Sequence, residues 1–213
     1  MQRDHDHGAG PVLKYSDDSA HDYDEGSRYP LMARAMRELL IEDNVVTAAE
    51  VQEYLEFMDS RGVALGAQIV ARAWVDPDYK RRLLDNGTAA VAEFDISMAG
   101  VELVVVENTA SVHNVVVCTL CSCYPRTILG LPPDWYKSKT YRARAVKEPR
   151  AVLQEFGTVL ADDVTLRVHD SNADMRYLVL PARPEGTKGW DEARLAQLVT
   201  RDSLIGVRFL TNP

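Results

Sequence analysis

Three cysteines lie close together in this sequence, and they are the residues most able to do chemistry. Cys118, Cys121 and Cys123 occur in the segment VCTLCSC at 117–123, and the chain has no other cysteine. Such a local cluster cannot join distant parts of a disulfide-bonded scaffold. It is typical of a metal site or of a redox pair, because thiolates are soft metal ligands and good nucleophiles.

Zinc binding and thiol redox chemistry are the two ordinary interpretations of this cluster. A structural zinc site normally takes four ligands from two separated pairs. Here the nearest fourth candidate is His113, and no second cysteine pair exists. A thioredoxin-like pair is also possible, although the third cysteine stands where a helix would begin. Both interpretations stay open beside a third.

In the third interpretation the backbone also binds the metal. The deprotonated amide nitrogens of Ser122 and Cys123, with the sulfurs of Cys121 and Cys123, would complete a planar set of two nitrogens and two sulfurs. Cys118 could then approach along the axis and leave a sixth position open. Amidate and thiolate ligands suit trivalent low-spin iron or cobalt. A metal with an open position can act as a Lewis acid.

The patterns around the cysteines predict an α+β protein. A helical N-terminal arm precedes a layered α-β-β-α metal-binding domain. Apolar periodicity and end signals, including a capping box at Thr47 and Glu50 and the Asp76-Pro77 start, predict helices over 30–44, 47–61, 64–75 and 76–87. β-branched runs predict strands at 103–106, 115–117, 164–168, 177–180 and 204–209, with a helix over 191–199. We therefore divide the chain into a disordered acidic, histidine-containing tail at 1–29, a helical region at 30–87 and a catalytic α+β metal-binding domain at 88–213.

Composition excludes several classes of function. The chain has 213 residues, 46% of them hydrophobic, and a net charge of −8. This acidity argues against a nucleic-acid polymer as a partner, because such a partner requires a basic surface. No apolar window is long enough for a membrane helix, and the N-terminus has no signal-peptide pattern. We expect a cytoplasmic protein that does not bind membranes.

The segments VCTLCSC, LGLPPDWYK and YRARAVKEPR resemble the α subunit of nitrile hydratases and the related γ subunit of thiocyanate hydrolase. The similarity extends over 71–209 and includes ARAWVDPDYK, VVVENT, RPEGTKGW and VTRDSLIGV. It implies a non-corrin metal bound by the sulfurs of Cys118, Cys121 and Cys123 and by the amides of Ser122 and Cys123. It also implies that Cys121 is oxidised to a sulfinic acid and Cys123 to a sulfenic acid. Thr119 favours cobalt(III), with iron(III) as the alternative.

The same resemblance implies an enzyme, the metal-bearing α subunit of a cobalt nitrile hydratase, which hydrates a nitrile to a carboxamide. Its catalytic residues would be Cys121, Ser122 and Cys123, and either water or the Cys123 sulfenate oxygen would attack the nitrile carbon. The alternative is the γ subunit of a thiocyanate hydrolase, which forms carbonyl sulfide and ammonia. Both imply a hetero-oligomer with a β-type subunit that supplies arginines to the oxidised cysteines, and a cobalt-inserting activator.

Two positions depart from the common nitrile hydratase pattern. Arg126-Thr127 replaces a Trp-Pro pair, and Ala99 replaces a glutamine. An arginine in the substrate wall favours a small anion or a polar nitrile. These departures resemble the three-subunit nitrile hydratases that act on bulky nucleoside nitriles such as toyocamycin. Arg142 and Arg144 are expected to lie around the metal ligands or to contact a partner subunit.

Overall fold

The computed structural model describes residues 28–210. The tail predicted at 1–29 therefore lies outside the described residues except for its last two positions. No helix within 28–210 is long and apolar enough to cross a membrane.

Two N-terminal helices, α1 (Arg28–Glu42) and α2 (Ala48–Asp59), contain no buried residue. The predicted capping box at the start of α2 is confirmed: the Glu50 amide donates to the Thr47 hydroxyl at 3.1 Å, and the Thr47 amide donates to the Glu50 carboxylate at 2.7 Å. Apolar side chains such as Leu31 and Met36 are 71% and 61% exposed. The described part of the chain does not cover the apolar faces of these helices.

The remaining helices pack around the strands or connect them. They are α3 (Val63–Val75), α4 (Pro77–Asp85), α5 (Gly87–Val91), α6 (Arg126–Leu129), α7 (Asp134–Lys137), α8 (Lys139–Lys147), α9 (Pro149–Glu155), α10 (Glu192–Ala196) and α11 (Arg201–Ile205), with a 3₁₀ turn at Ala92–Phe94. As predicted, α4 begins after Asp76, whose carboxylate accepts hydrogen bonds from the amides of Asp78 and Tyr79. Helix α3 inserts Ile69 and Val70 into the core, which it shares with the strands.

Within residues 28–210, four strands form two parallel pairs. Strand β1 (Glu102–Glu107) pairs with β4 (Met175–Leu180), and β2 (Val112–Val117) pairs with β3 (Thr165–Asp170). These strands confirm the four predictions at 103–106, 115–117, 164–168 and 177–180. Parallel strands require a crossover connection, and helices α6 to α9 provide it between β2 and β3. The protein is α+β, as the sequence predicts.

The strand predicted at 204–209 is wrong, because this segment begins inside helix α11. Thr200 and Ser203 form a capping box at the start of the helix, and Gly206 ends it with a left-handed φ of 86°. A Cβ atom at Gly206 would lie 1.9 Å from the Asn114 carbonyl oxygen, so only glycine fits beside β2. Leu204 and Ile205 are buried, and a short buried apolar run looks the same in a helix as in a strand.

Candidate metal centre

The cysteine segment begins where strand β2 ends. Val117 is the last residue of β2, and Cys118 follows it at the start of a loop that leads to helix α6. Val117 is opposite Asp170 in the parallel register between β2 and β3. The carboxyl ends of both strands therefore meet at the loop, which gives it a rigid base.

The three cysteine sulfurs converge on one point. The Sγ atoms of Cys118 and Cys121 are 3.3 Å apart, and those of Cys121 and Cys123 are 3.1 Å apart. All three lie within 4.8 Å of one another, and between residues 28 and 210 they form the one group of three candidate metal ligands. Cys118 is buried, Cys123 is half-buried and Cys121 is exposed. This donor set fits a thiophilic transition metal.

One backbone amide of the loop points at the sulfur cluster. The Cys121 amide donates to the Cys118 sulfur at 3.2 Å. A hydrogen bond from the Cys123 thiol lowers the pKa of Cys121, and smaller contributions come from the Cys118 thiol and from the backbone amides of Cys123 and Ser122. The Ser122 and Cys123 amides, the two predicted backbone ligands, belong to the same loop between β2 and α6 as the three sulfurs. Their binding to a metal stays a prediction.

Burial raises the pKa of the Cys123 thiol to about 12, and its neighbour Cys121 adds to that rise. The positive charge of the Arg176 guanidinium opposes this rise in pKa. Arg176 lines the same cavity as Cys121 and Cys123. Sequence reasoning did not identify Arg176, because a lone arginine near the start of a strand gives no functional signal.

His113, the candidate fourth zinc ligand, belongs to the core. Its Nε2 is 2.7 Å from the Gly206 carbonyl oxygen, and its Nδ1 is 3.3 Å from the Asn108 side-chain nitrogen. Both ring nitrogens therefore have partners away from the cysteines. A zinc site that uses His113 is not supported by this arrangement.

Thr119 is bound to strand β3. Its backbone amide donates to Asp170 Oδ1 at 2.9 Å, and its hydroxyl donates to Asp170 Oδ2 at 2.6 Å. The Thr119 carbonyl oxygen accepts a hydrogen bond from Arg142 at 3.4 Å. The residue that follows the first cysteine is therefore fixed from two sides.

The structure separates the two arginines of the YRARAV segment. Arg142 reaches the cysteine loop through Thr119 and also donates to the Lys137 carbonyl oxygen at 3.2 Å. Arg144 instead forms ion pairs with Glu148 at 2.6 Å and with Glu155 at 2.9 Å. Their predicted contacts with a partner subunit stay a prediction.

Tyr136 connects the loop to an aromatic cluster. Its hydroxyl donates to the Cys123 carbonyl oxygen at 2.9 Å, and its ring packs edge-on against Tyr124 at 5.1 Å and Trp135 at 5.9 Å. The Trp135 ring lies in turn 4.8 Å from that of Phe156. Both Trp135 and Tyr136 are buried, so they are packing residues. The hydrogen bond to the loop could not be predicted, because it depends on how α7 packs under the cysteines.

A cavity of about 360 Å³ opens beside the cysteines. Cys121, Ser122 and Cys123 line it, and so does the predicted wall residue Arg126. Its full lining is Met98, Ala99, Val101, Cys121, Ser122, Cys123, Tyr124, Pro125, Arg126, Thr127 and Arg176. The exposed edge of the sulfur cluster therefore faces a space that could hold a small molecule.

Comparisons with known proteins show which proteins the chain resembles. The chain is 52% identical over 182 residues to the α subunit of the low-molecular-weight cobalt-containing nitrile hydratase of Rhodococcus rhodochrous, with 84% of this chain and 88% of that one covered. It is 42% identical over 196 residues to the γ subunit of thiocyanate hydrolase from Thiobacillus thioparus, with 86% and 81% covered.

Solved structures show the same similarity. A recombinant thiocyanate hydrolase with partially modified cobalt centres superposes with a TM-score of 0.83 at 41% identity, covering 88% of this chain and 92% of the other. A double mutant of the Fe-type nitrile hydratase from Comamonas testosteroni Ni1 superposes with a TM-score of 0.82 at 42% identity, covering 89% and 94%. The family model described as nitrile hydratase, alpha chain, matches residues 27–208. The chain belongs to the nitrile hydratase α-chain family.

Proposed function

We propose that this chain is the metal-bearing catalytic subunit of a cobalt nitrile hydratase, which hydrates nitriles to carboxamides. One observation carries the proposal: three cysteine sulfurs lie within 4.8 Å of one another, and two of these cysteines, Cys121 and Cys123, border a cavity. The 52% identity to a cobalt-containing α subunit supports the same conclusion.

The proposed metal ligands are the sulfurs of Cys118, Cys121 and Cys123 and the amide nitrogens of Ser122 and Cys123. Cys118 is buried, whereas Cys121 and Cys123 border the cavity, so substrate would arrive from the cavity side. Cobalt(III) is the proposed ion, because Thr119 follows the first cysteine. Iron(III) is the alternative, since the similar structures include an Fe-type enzyme.

When bound, the metal supplies a Lewis acid that polarises the nitrile C≡N bond. The cavity walls bind the rest of the nitrile and orient its carbon toward the cysteine segment. Ser122 lines the same cavity, and its hydroxyl would orient the attacking water. The oxygen of that water forms the new bond to carbon, and its protons pass to nitrogen to give the carboxamide. We propose that Cys121 is present as the sulfinic acid and Cys123 as the sulfenic acid, whose oxygen is the alternative nucleophile.

The active enzyme is proposed to be a hetero-oligomer with a β-type subunit. The exposed apolar faces of α1 and α2 fit an arm that contacts another chain, because exposed apolar patches often mark interfaces. The partner would supply the arginines that bind the oxidised cysteines, and a separate activator would insert cobalt. The cytoplasmic location stays a prediction.

The test is the activity of the assembled, cobalt-loaded complex on acrylonitrile, followed by detection of acrylamide. A Cys121→Ala variant should lose both cobalt and activity. A Ser111→Ala variant, which changes an exposed residue outside the cysteine segment, is the control and should retain them. A fully loaded and oxidised complex that leaves acrylonitrile unchanged would contradict the proposal.

Thiocyanate hydrolysis is the second candidate, and Arg126 in the cavity wall favours it, because the substrate is an anion. The lower identity to the thiocyanate hydrolase subunit, 42% against 52%, places it second. Competition between acrylonitrile and thiocyanate on one preparation separates the two. Carbonyl sulfide release without carboxamide formation would support the second candidate.

A further inference from the structure

The cavity beside the cysteines is cationic. Arg126 and Arg176 line it, and its lining contains no aspartate or glutamate. The sulfinic and sulfenic groups proposed on Cys121 and Cys123 would be bound by the metal and by the arginines of the partner subunit. Neither arginine forms an ion pair within the part of the chain that the structure describes. In a protein with a net charge of −8, two unneutralised guanidinium groups make a local site for a negative charge.

Arg176 is held in place by the turn before strand β4. Its Nη1 atom donates to the carbonyl oxygens of Asn172, Ala173 and Met175. The Asn172 side-chain oxygen closes that turn by accepting hydrogen bonds from the amides of Asp174 at 2.9 Å and Met175 at 3.0 Å. The turn thus positions the guanidinium without neutralising it, and within residues 28–210 its Nε and Nη2 donors have no acceptor.

Arg126 is the more exposed of the two cations. It follows Tyr124 and Pro125 at the start of helix α6, three residues after Cys123. No described residue accepts a hydrogen bond from its side chain. Its guanidinium donors are therefore available to a ligand in the cavity.

An apolar wall is formed by a tight turn at 98–101. The Val101 amide donates to the Met98 carbonyl oxygen at 3.1 Å, and Ala99 and Gly100 both have left-handed φ values, 51° and 82°. The turn presents Met98 and Val101 to the cavity, while Ala99 contributes only a methyl group. A ligand thus meets two cations, an apolar wall and the cysteine segment.

We propose that this site selects nitriles that carry a carboxylate. The apolar part of the substrate would lie against Met98 and Val101, its carboxylate would pair with Arg126 and Arg176, and its nitrile would point to the cysteine segment. Guanidinium groups bind carboxylates with two parallel hydrogen bonds, which gives orientation as well as affinity. This inference rests on the proposed nitrile hydratase function and names its substrate class.

The test compares two substrates of nearly the same shape, 3-cyanopropanoate and 3-cyanopropanamide, with the assembled cobalt-loaded complex. Two methylene groups separate the nitrile from the end group that differs, so the end group has little effect on the nitrile's own reactivity. We expect kcat/KM to be at least tenfold higher for the carboxylate. The preference should fall at least fivefold in Arg126→Gln and in Arg176→Gln, and it should fall as ionic strength rises. Arg81→Gln makes the same charge change on α4, outside the cavity, and should keep the preference.

Binding of the products gives a readout that does not depend on turnover. Succinamate, the product from the carboxylate, should bind the complex more tightly than succinamide in calorimetry, and Arg126→Gln should remove most of the difference. If Arg126→Gln does not assemble, Arg126→Lys and the salt series on the unaltered complex provide the test. A lysine keeps the charge but not the paired hydrogen bonds, so a partial preference is expected.

Other outcomes would overturn the inference in distinguishable ways. Equal use of both substrates, with a ratio that the variants do not change, rejects it and leaves the proposed function intact. A stronger preference for the uncharged nucleoside nitrile toyocamycin rejects it as well. Loss of activity on both substrates by the same factor in Arg176→Gln would assign Arg176 to the metal centre instead. If neither nitrile is hydrated and thiocyanate is hydrolysed, the proposed function itself fails.

Discussion

Asp170 accepts two hydrogen bonds from Thr119, one from its amide at 2.9 Å and one from its hydroxyl at 2.6 Å. Asp170 is the last residue of β3 and lies opposite Val117, the last residue of β2. The carboxylate therefore joins the end of one parallel strand to the first turn of the loop that leaves the other. Through this contact the sheet holds Thr119, the residue that follows Cys118.

Removing the Asp170 charge should loosen the metal centre. In Asp170→Asn one of the two acceptor oxygens becomes an NH2 group, which cannot accept the hydrogen bond made there, and the bond to the remaining oxygen is no longer charge-assisted. We expect about 1 kcal/mol of lost stability, because the site is exposed. Cobalt affinity should fall about tenfold, as is typical when a residue that orients a ligand is changed. Cobalt per chain and activity are the measurements. Asp163→Asn is the control, and equal cobalt content in both variants would contradict the expectation.

Thr119 allows the hydroxyl and the methyl group to be tested separately. Thr119→Ser keeps the hydrogen bond to Asp170, whereas Thr119→Val keeps the shape and loses it. We expect Thr119→Ser to retain cobalt, and Thr119→Val to lose about 1 kcal/mol of stability and part of its cobalt. Thermal denaturation and metal analysis of the two assembled variants check this. If both variants behave alike, the hydroxyl has no role in the loop.

The oxidation state of the cysteines gives a direct chemical test. The peptide that contains Cys118, Cys121 and Cys123, digested without reductant from cobalt-loaded protein, should carry two added oxygens on Cys121 and one on Cys123. Cys118 should be unmodified, since it is buried. High-resolution mass spectrometry measures all three. Unmodified thiols in a metal-bearing sample would instead favour an immature centre or a zinc module.

Tyr136 should affect activity through the loop rather than through the core. Tyr136→Phe keeps the buried ring and removes the hydrogen bond to the Cys123 carbonyl oxygen. We expect a loss of about 1 kcal/mol in the free energy of unfolding, together with lower activity. Tyr141→Phe removes a similar hydrogen bond, to the Val116 carbonyl oxygen at 2.7 Å within β2, and is the matched variant. Both variants should be less stable, but only Tyr136→Phe should lose more activity than its lower stability explains.

The sequence predicts the parts of the site that are local in the chain and misses those that depend on strand pairing. The cysteines, the capping box at Thr47 and the four strands all follow from short patterns. Asp170 becomes part of the site only because β3 lies parallel to β2, and Arg176 only because the turn before β4 faces the cavity. The segment predicted as a strand at 204–209 begins in the helix Arg201–Ile205, because a short apolar run predicts a buried strand and a buried helix equally well.

Stability should decrease on mild acidification, because burial lowers the pKa of His113 despite the opposing hydrogen bond to the Gly206 carbonyl. In the unfolded chain this histidine returns to its ordinary value near 6.5. Below that pH the unfolded chain binds a proton that the folded protein does not, so the free energy of unfolding falls as the pH drops. Burial lowers the pKa of His169 as well, which adds an effect of the same sign.

Between pH 7.5 and 5.5 ordinary carboxylates stay ionised and contribute little to the change in stability. The thermal midpoint of the assembled enzyme should therefore fall as the pH drops from 7.5 to 5.5. In His113→Gln the midpoint should be lower already at pH 7.5, and its fall over the same pH range should be smaller. Equal slopes in the two proteins would show that His113 is not the group responsible.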